Sequence, residues 1–215
     1  MPVDKAIARE KMILAGERLI AEHGIEGLSL RRVKIEAGQK NTSAALYHFG
    51  DRDGLILAIF DYRLGNTNAR RHELLDNDSS SIRALIRAWL LPDVEEITEA
   101  TGGSYHARFL AVVANYPGFS MQQLWNRPAA DSFTRLGRLL RQQLSDLPDE
   151  VISMRFGMAM LQSIYAMADE ERLQAHGRNP ALFVSHLIDV LEAIFTAPLS
   201  SETAAELRRQ TAASA

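Results

Sequence analysis

The sequence predicts an all-α protein. No proline occurs between Pro2 and Pro92, so long uninterrupted helices are permitted over the first part of the chain. Apolar residues recur at helical spacing, as at Met12, Ile13 and Leu19, and no stretch alternates apolar and polar residues as a half-buried strand would. At 215 residues, the chain is long enough to bury a sizeable helical core.

The composition excludes several classes of protein. Hydrophobic residues make up 47% and charged residues 24% of the chain, and no run approaches the roughly 18 apolar residues that cross a bilayer. The absence of cysteine excludes disulfides, thiol catalysis and thiolate metal sites, and it fits a reducing compartment. The first residues carry no apolar signal core. We therefore expect a cytoplasmic protein without a membrane partner.

Glycine, proline and capping residues predict where the helices begin and end. Gly24 ends the first helix, Pro92 ends a helix that starts near Ile82, and both Pro128 and Pro180 open helices. The predicted helices run from Asp4 to His23, Ser29 to Ala37, Thr42 to Phe49, Asp51 to Leu74, Ile82 to Leu90, Tyr105 to Tyr116, Pro128 to Leu144, Asp149 to His176 and Pro180 to Thr196.

Residues 29–53 have the pattern of a helix-turn-helix. Ser29 is a suitable N-cap, and Leu30 and Val33 fall on one face of the short helix that follows. Gly38 then stands where a helix commonly ends in a left-handed residue. A polar turn and a second helix complete the motif.

The second helix of this motif, Thr42 to Phe49, is expected to bury Leu46 and Phe49 and to point its polar residues outward. An α-helix fits the major groove of B-DNA, and small polar residues near its N-terminus suit contacts with bases and phosphates. From Arg31 to Arg52, five basic residues stand against two acidic ones. Two short helices around a glycine turn also occur in helical proteins that bind no DNA. The predicted DNA-binding residues are Ser29, Arg31, Lys40, Asn41, Thr42, Ser43, Ala44, Tyr47, His48 and Arg52.

Four short blocks occur here in order: Ala21-Glu22-His23-Gly24, Ala37-Gly38, Leu46-Tyr47-His48-Phe49-Gly50 and Asp51-Arg52-Asp53-Gly54-Leu55. Together they resemble the DNA-binding domain of the TetR family of bacterial transcription regulators, over about the first quarter of the chain. The block Ala-Gly-Gln-Lys-Asn-Thr-Ser-Ala at residues 37–44 resembles one branch of that family. The run from Ala37 to Gly50 is one residue longer than the commoner family pattern, which leaves open whether Thr42, Ser43 or Ala44 faces the bases.

The resemblance implies a DNA-binding head and a larger helical domain. We expect residues 1–53 to form the head, in which the first helix covers the helix-turn-helix from behind. Lys5 and Arg9 on that helix are either phosphate contacts or solvated surface charges. Residues 54–198 are expected to bind an effector and to dimerise, and the polar tail at 199–215 to hold one helical turn or to fray.

Aromatic and methionine residues in the middle helices suit the effector cavity that the resemblance implies. Methionine adapts its shape, and tyrosine and tryptophan add a polar group to an apolar body, so we expect a small apolar or amphipathic effector. Arg108, if buried, needs an anionic partner, either an effector carboxylate or a glutamate. Plain core packing would explain the same residues. The candidate pocket residues are Trp89, Tyr105, Arg108, Phe109, Tyr116, Trp125, Met154, Met158 and Tyr165.

The last two predicted helices are apolar on more than one face. One face suffices for the core, so the second indicates a partner. We expect a homodimer with a four-helix bundle across a twofold axis, as the resemblance also implies, because a dimer can read two half-sites about 34 Å apart. The alternative is a monomer wrapped by its own helices. The candidate interface residues are Phe156, Met160, Ile164, Phe183, Leu187, Val190 and Ile194.

The chain carries no catalytic or metal-binding motif. Its six histidines stand singly, with neither a His-Glu-x-x-His pattern nor a phosphate-binding glycine loop. We expect no enzyme activity, no cofactor and no metal, with a helical enzyme as the distant alternative. The sequence predicts a regulator that binds double-stranded operator DNA sequence-specifically and represses transcription until a small-molecule effector releases it. The nearer alternative is a regulator of the same fold that responds to a protein partner or is constitutive.

Overall fold

The computed structural model describes residues 2–39, 44–99, 104–120, 123–124, 126–173 and 179–213, and every regular element within them is helical. The all-α prediction is confirmed. Two 3₁₀ turns, Ile25–Gly27 and Pro128–Ala130, join α-helices. The α-helices are α1 (Pro2–His23), α2 (Leu30–Glu36), α3 (Ala44–Phe49), α4 (Arg52–Asn77), α5 (Ile82–Glu99), α6 (His106–Val113), α7 (Asp131–Gln143), α8 (Asp149–Leu173), α9 (Pro180–Thr196) and α10 (Ser201–Ala213).

Helices α1, α2 and α3 pack together as a head. The Ser29 hydroxyl accepts a hydrogen bond from the Arg32 amide at 3.2 Å, so Ser29 is the N-cap of α2, as predicted. Val33 on α2 is fully buried. Gly38 adopts a φ of +63°, so the turn after α2 uses the left-handed conformation that glycine adopts without strain.

The buried face of α3 differs from the predicted one by one residue. Ala45 and Phe49, one helical turn apart, are buried, whereas Leu46 is 62% exposed. The prediction that Leu46 is buried is therefore wrong. The small Ala45 side chain lets α3 lie close to α1, α2 and α4, and this steric fit outweighs the larger apolar area of leucine.

Helix α4 joins the head to the larger domain. Asp51 caps it, because its Oδ1 accepts a hydrogen bond from the Gly54 amide at 2.7 Å. Helix α1 lies against α4, and a Cβ added at Gly16 would lie 3.1 Å from Leu55 Cδ2 and 3.2 Å from Ile59 Cδ1. The absence of a side chain at Gly16 therefore permits the close approach of the two helices.

Helix α5 continues through Pro92, which the sequence predicted to end it. Proline removes one backbone hydrogen bond within a helix, but α5 is packed against α4, α7 and α9. Leu85 and Trp89 on α5 are buried by this packing, and Arg71 Nη2 on α4 donates to the Trp89 carbonyl at 3.4 Å. Burial of the helix on its neighbours has overridden the local signal of the proline.

The larger domain is built around an aromatic cluster. Trp89 is buried, and its ring lies 5.3 Å from that of Phe156, 6.2 Å from Phe133 and 6.5 Å from Phe195. These rings come from α5, α8, α7 and α9, so four helices meet at one point. Helix α6 packs against both α8 and α1 and thereby connects this domain to the head.

Residues 201–213 form the helix α10, so the tail neither frays nor stops at one helical turn, and both predicted alternatives are wrong. The Ser200 hydroxyl accepts a hydrogen bond from the Thr203 amide at 3.1 Å, and alanine, glutamate and arginine favour the helix that follows. Gln210 Nε2 donates to Glu150 Oε1 at 3.3 Å and so ties α10 to α8. Over the described ranges no single helix is long and apolar enough to cross a membrane; Pro180–Thr196 and Ser201–Gln210 meet that test only as a pair, bent by 53°.

Candidate nucleic-acid interface and effector cavity

The predicted DNA-binding residues fall into two groups. Lys40, Asn41, Thr42 and Ser43 lie outside the described residues, as does the side chain of Ala44. Their contacts with DNA therefore stay predictions. The structure places the remaining candidates, Ser29, Arg31, Tyr47, His48 and Arg52.

The exposed side of α3 carries an aromatic ring with cations beside it. Tyr47 is 73% exposed, and Nζ of Lys5 on α1 lies 5.5 Å from its ring centroid. Arg9, one turn further along α1, has its guanidinium carbon 5.6 Å from the ring centroid of Phe49. The first half of α1 thus places two cations beside α3. We call Lys5, Arg9, Tyr47 and His48 the head surface.

The cations of the head surface act on His48. Partial burial, together with the positive charges of Arg9 and Lys5, lowers the pKa of this imidazole below its ordinary value of 6.5. His48 is therefore neutral at pH 7, so one ring nitrogen donates and the other accepts a hydrogen bond. The side chain adds polar recognition to the head surface without adding charge.

Ser29 and Arg31 lie at the start of α2, and both are exposed. The Ser29 hydroxyl accepts the capping bond of α2 but can still donate its own proton to a phosphate. Arg32 Nη1 donates to the Gly27 carbonyl at 2.8 Å and is held within the head. Arg31 makes no hydrogen bond or ion pair with any described residue, so it is available to an external anion.

Arg52 is engaged within the protein. Its Nη2 donates to the Tyr116 hydroxyl at 3.0 Å, and its guanidinium carbon lies 5.7 Å from the centroid of that ring. The Tyr116 hydroxyl in turn donates to Asp53 Oδ1 at 3.1 Å. A residue predicted to bind DNA and one predicted to bind an effector are thus joined. We call Arg52, Asp53 and Tyr116 the Tyr116 clasp; it connects the start of α4 to the segment after α6.

A buried ionic network also connects the head to the larger domain. Arg63 on α4 pairs with Glu17 on α1 and, at 2.5 Å, with Glu96 on α5. His106 on α6 has Nδ1 3.8 Å from Glu17 Oε1 and Nε2 3.8 Å from Asp93 Oδ1. Burial opposes the charged imidazole, but the carboxylates of Asp93 and Glu17 prevail and raise the pKa of His106 above 6.5.

Arg71 lies on the other side of Asp93 and is fully buried. Its Nη2 is 3.0 Å from Asp93 Oδ2, and its Nη1 donates to the Thr67 and Ser132 hydroxyls, both at 3.2 Å. Burial opposes ionisation of Asp93, but the Arg71 cation beside it lowers the pKa of that carboxyl. Sequence analysis missed this network, although a charged residue on the apolar face of a helix is a usable signal for one.

The predicted pocket residues do not converge on one cavity. Trp89 and Phe109 are buried among core side chains. Tyr116 belongs to the Tyr116 clasp, and Trp125 lies outside the described residues. The predicted pocket is therefore wrong for the residues that can be placed, because most of them pack against other parts of the chain or face outward.

Arg108 takes the glutamate partner that the sequence left as one alternative. Its Nε donates to Glu171 Oε2 at 3.0 Å, and the Arg108 and Ala107 amides also donate to that carboxylate. The guanidinium carbon lies 4.7 Å from the ring centroid of Tyr105. Arg108 therefore holds α6 to α8, and the Tyr105 ring packs against its guanidinium group.

A large cavity lies between α7 and α8. Its volume is about 1040 Å³, at the upper end of the range for small-molecule sites. Phe156 and Met160, which the sequence assigned to a dimer interface, line it together with Phe133. Ala114 also lines it and lies two residues before Tyr116. The cavity thus borders the segment that carries the Tyr116 clasp.

The apolar face of α8 that was predicted to form the dimer interface packs inward, and the face that was predicted to line the pocket points outward. Met160 and Ile164, predicted at the interface, are buried in the chain's own core, as is Leu187 on α9. These three residues are wrong as interface residues. The half-buried Phe183, Val190 and Ile194 stay predictions, whereas Phe156 packs on Trp89 and borders the cavity. Hydrophobicity alone does not predict which of two apolar faces turns inward. The packing of Phe156 against Trp89 determines it.

The outward face of α8 carries an apolar stripe at helical spacing. It consists of residues that the sequence placed in the pocket, together with one leucine. All four are between 43% and 61% exposed: Met154, Met158, Leu161 and Tyr165. We call these four residues the α8 stripe, of which Leu161 also borders the cavity.

Comparison with known proteins assigns the larger domain. The family model described as "Tetracyclin repressor-like, C-terminal domain" matches residues 87–197, more than half of the chain. The chain belongs to the TetR family. The match starts on α5 and ends after α9, so it includes the aromatic cluster, the cavity and the α8 stripe.

Individual known proteins resemble shorter parts of the chain or resemble it at lower identity. The HTH-type transcriptional repressor AcnR of Corynebacterium glutamicum is 40% identical over 52 residues, and AcnR of Corynebacterium efficiens is 44% identical over 57 residues. These matches cover 24% and 26% of this chain, and only 27% and 30% of the relatives. A solved structure from Mesorhizobium loti that carries the name of a TetR-family transcriptional regulator aligns with a TM-score of 0.51 at 19% identity, over 88% of this chain and 96% of that one. It supports the fold alone.

Membership of the TetR family confirms the predicted class, a transcription regulator rather than an enzyme. The family also confirms a helix-turn-helix head followed by a helical C-terminal domain. Within the part of the chain that the structure describes, no group of three or more His, Asp and Glu side chains is placed to hold a metal ion. The features that a transcription regulator could use are therefore the head surface, the cavity, the Tyr116 clasp and the buried ionic network.

Proposed function

We propose that this protein is a cytoplasmic, homodimeric repressor that binds operator DNA sequence-specifically and is released by a small molecule. The head surface carries the proposal, because an exposed tyrosine and two cations border the helix that follows the TetR-like turn. The Corynebacterium relatives are named transcriptional repressors, which supports repression as the output.

On the DNA, α3 would enter the major groove and α1 would approach the backbone. Lys5, Arg9 and Arg31 supply positive charge for phosphates, which give affinity without reading sequence. Lys40 is proposed as a further phosphate contact, and Thr42 or Ser43 as base contacts worth roughly 1–3 kcal/mol each. Tyr47 and His48 would fix the position of α3 on the backbone.

Effector release would run from the cavity to the head through the Tyr116 clasp. Ala114 lines the cavity, and Tyr116 binds Arg52 and Asp53, the first two residues of α4, which is separated from the end of α3 by two residues. A ligand that favours one position of this segment would favour one orientation of the head. It would weaken operator binding by its difference in affinity for the two orientations and by no more.

The α8 stripe is the proposed centre of the dimer interface. TetR-family regulators act as dimers, and four exposed apolar side chains on one helix suit an isologous contact across a twofold axis. The stripe lies on α8, the first of the two helices that the sequence assigned to this role. A dimer places two heads at a spacing that can match successive major grooves.

The deciding experiment is fluorescence anisotropy with duplexes from the region upstream of the protein's own gene and with random duplexes, titrated against salt. We expect selective binding by dimers. Lys5→Ala should weaken binding to all duplexes and reduce the salt slope by about 1, and Tyr47→Ala should weaken it without changing that slope.

Lys11→Ala is the matched control, because Lys11 is an exposed lysine on the same helix outside the head surface. It should bind as the unaltered protein does. If every duplex, including a site selected from random DNA, binds equally, or if Lys11→Ala weakens binding as much as Lys5→Ala, the proposed use of the head surface is incorrect.

A further inference from the structure

The cavity between α7 and α8 has an apolar floor. Phe133 on α7 and Ile152, Phe156 and Met160 on α8 line it. Phe156 stacks on the buried Trp89 with the ring planes 27° apart, so the floor is supported by the aromatic cluster. A long apolar group of a ligand would be removed from water here without any rearrangement of the core.

The charged side chains that line the cavity are both arginines on α7. Arg138 and Arg141 lie three residues apart and share one helix face with Thr134. Arg141 is partly neutralised, because its Nη1 lies 3.2 Å from Asp149 Oδ1. Arg138 has no ion-pair or hydrogen-bond partner among the described residues, and the described lining includes no aspartate or glutamate.

We propose that the cavity binds an amphipathic anion, a molecule with a long apolar body and one carboxylate, with Arg138 as the residue that recognises the carboxylate. This inference rests on the proposed function in taking the ligand to be the effector. A guanidinium offers paired N–H donors that match the two oxygens of a carboxylate. The apolar floor would take the body of the ligand, and Arg138 would determine that an acid binds in preference to a neutral or cationic analogue.

The fluorescence of Trp89 can report ligand binding in the cavity. Trp89 stacks on Phe156, which lines the cavity, so a ligand beside Phe156 changes the surroundings of the indole. The chain has two tryptophans, and a Trp125→Phe background leaves Trp89 as the single reporter. Fluorescence of that variant can be titrated with dodecanoate, 1-dodecanol and dodecylammonium, which share one chain length and differ in head-group charge.

We expect dodecanoate to bind about tenfold more tightly than 1-dodecanol, the effect of one charge-assisted hydrogen-bonded pair, and dodecylammonium to bind most weakly. Arg138→Gln should remove the preference for the acid and leave the affinity for the alcohol unchanged. Arg87→Gln is the matched control, because Arg87 is an exposed arginine on α5 outside the cavity. It should keep the full preference.

A second variant tests the location of the ligand. A Cβ at Gly157, which lines the cavity on α8, would meet no atom within 4 Å, so Gly157→Leu should fill the space without distorting the helix. It should abolish binding of both dodecanoate and 1-dodecanol. Gly65→Leu, at an exposed glycine on α4 that is equally unhindered, should not.

Equal affinity for the acid and the alcohol, an unchanged preference in Arg138→Gln, or tight binding to Gly157→Leu would each overturn the inference. Operator binding, measured separately on the same preparations, distinguishes this failure from that of the proposed function. Selective operator binding together with no binding of dodecanoate would reject the ligand class alone. Dodecanoate binding that needs Arg138 and leaves the operator bound would uphold the ligand class and reject release by this ligand.

Discussion

Tyr116 binds Arg52 and Asp53 with one hydroxyl group, accepting from Arg52 Nη2 at 3.0 Å and donating to Asp53 Oδ1 at 3.1 Å. Arg52 and Asp53 belong to the first turn of α4, directly after α3, whereas Tyr116 follows α6. The hydroxyl therefore fixes the base of the DNA-binding head to the domain that contains the cavity.

Tyr116→Phe should lower the free energy of unfolding by about 1 kcal/mol, because two hydrogen bonds at a half-buried position are lost while the ring stays. Operator affinity should fall several-fold, because the freed head samples orientations that do not match the grooves. Urea unfolding and fluorescence anisotropy measure the two effects. Tyr62→Phe is the control, since Tyr62 bonds Glu10 at 2.7 Å away from the clasp; an equal loss of operator affinity in both variants would contradict the role of Tyr116.

His106 should make stability depend on pH. Its pKa is raised above 6.5 in the folded protein by Asp93 and Glu17 against the effect of burial. A group with a raised folded pKa stabilises the protein fully below its unfolded pKa, and this contribution is lost as the pH rises through the folded pKa. The free energy of unfolding should therefore fall above pH 6.5, by up to about 1.4 kcal/mol per pH unit.

Urea unfolding of His106→Gln between pH 5.5 and 8.5 checks this expectation. The variant should lose most of the fall in stability above pH 6.5. His186→Gln serves as the control, because His186 is exposed on α9 and makes no ion pair with described residues. If His106→Gln shows the same pH profile as the unaltered protein, another group is responsible.

Gly54→Ala should destabilise the junction between α3 and α4. A Cβ at this position would overlap the backbone carbonyl oxygen of Phe49, which cannot move without displacing the end of α3. We expect a loss of about 1–3 kcal/mol and weaker operator binding, measured by thermal unfolding and anisotropy. Gly65→Ala on the same helix meets no neighbour within 4 Å and should instead stabilise by up to about 1 kcal/mol; a similar loss in both variants would contradict the steric explanation.

Met158→Glu should dissociate the dimer. Met158 is the most exposed member of the α8 stripe, and a charge there would be desolvated in an apolar interface. Sedimentation should detect a folded monomer, with operator affinity lower by about 100-fold because the linkage of two half-sites is lost. Leu14→Glu, at an exposed leucine on α1, should remain dimeric. A dimeric Met158→Glu variant would place the interface elsewhere.

Local signals were sufficient for much of the fold. The start of α9 follows from Asn179, whose side chain caps the helix, and from Pro180 at its first position. Gly24, with a φ of +71°, ends α1 as the sequence predicted. Pro92 was misleading because the local cost of a proline is smaller than the gain from burying α5 on three neighbouring helices.

The candidate sites were less predictable, because they depend on which face of a helix turns inward. Leu46 is more apolar than Ala45, yet Ala45 fits against the head. Helix α8 offered two apolar faces, and only its packing on Trp89 decides that Phe156 borders the cavity. The sequence did not single out Arg138, because its proposed role depends on the cavity between α7 and α8. That role also depends on Arg138 having no ion-pair partner among the described residues.

The pairing of buried Arg71 with Asp93 constrains how this protein can change over evolutionary time. Loss of Asp93 alone strands Arg71 as an uncompensated charge inside the domain, and loss of Arg71 alone leaves Asp93, among the described residues, with only the His106 imidazole, 3.8 Å away. Breaking a buried ion pair in this way costs about 3–5 kcal/mol, a large fraction of the roughly 5–15 kcal/mol by which a protein is stable. Replacement of both by apolar residues removes that penalty. Descendants of this chain should therefore keep the two residues together or lose them together, and a lineage that carries one without the other should be rare.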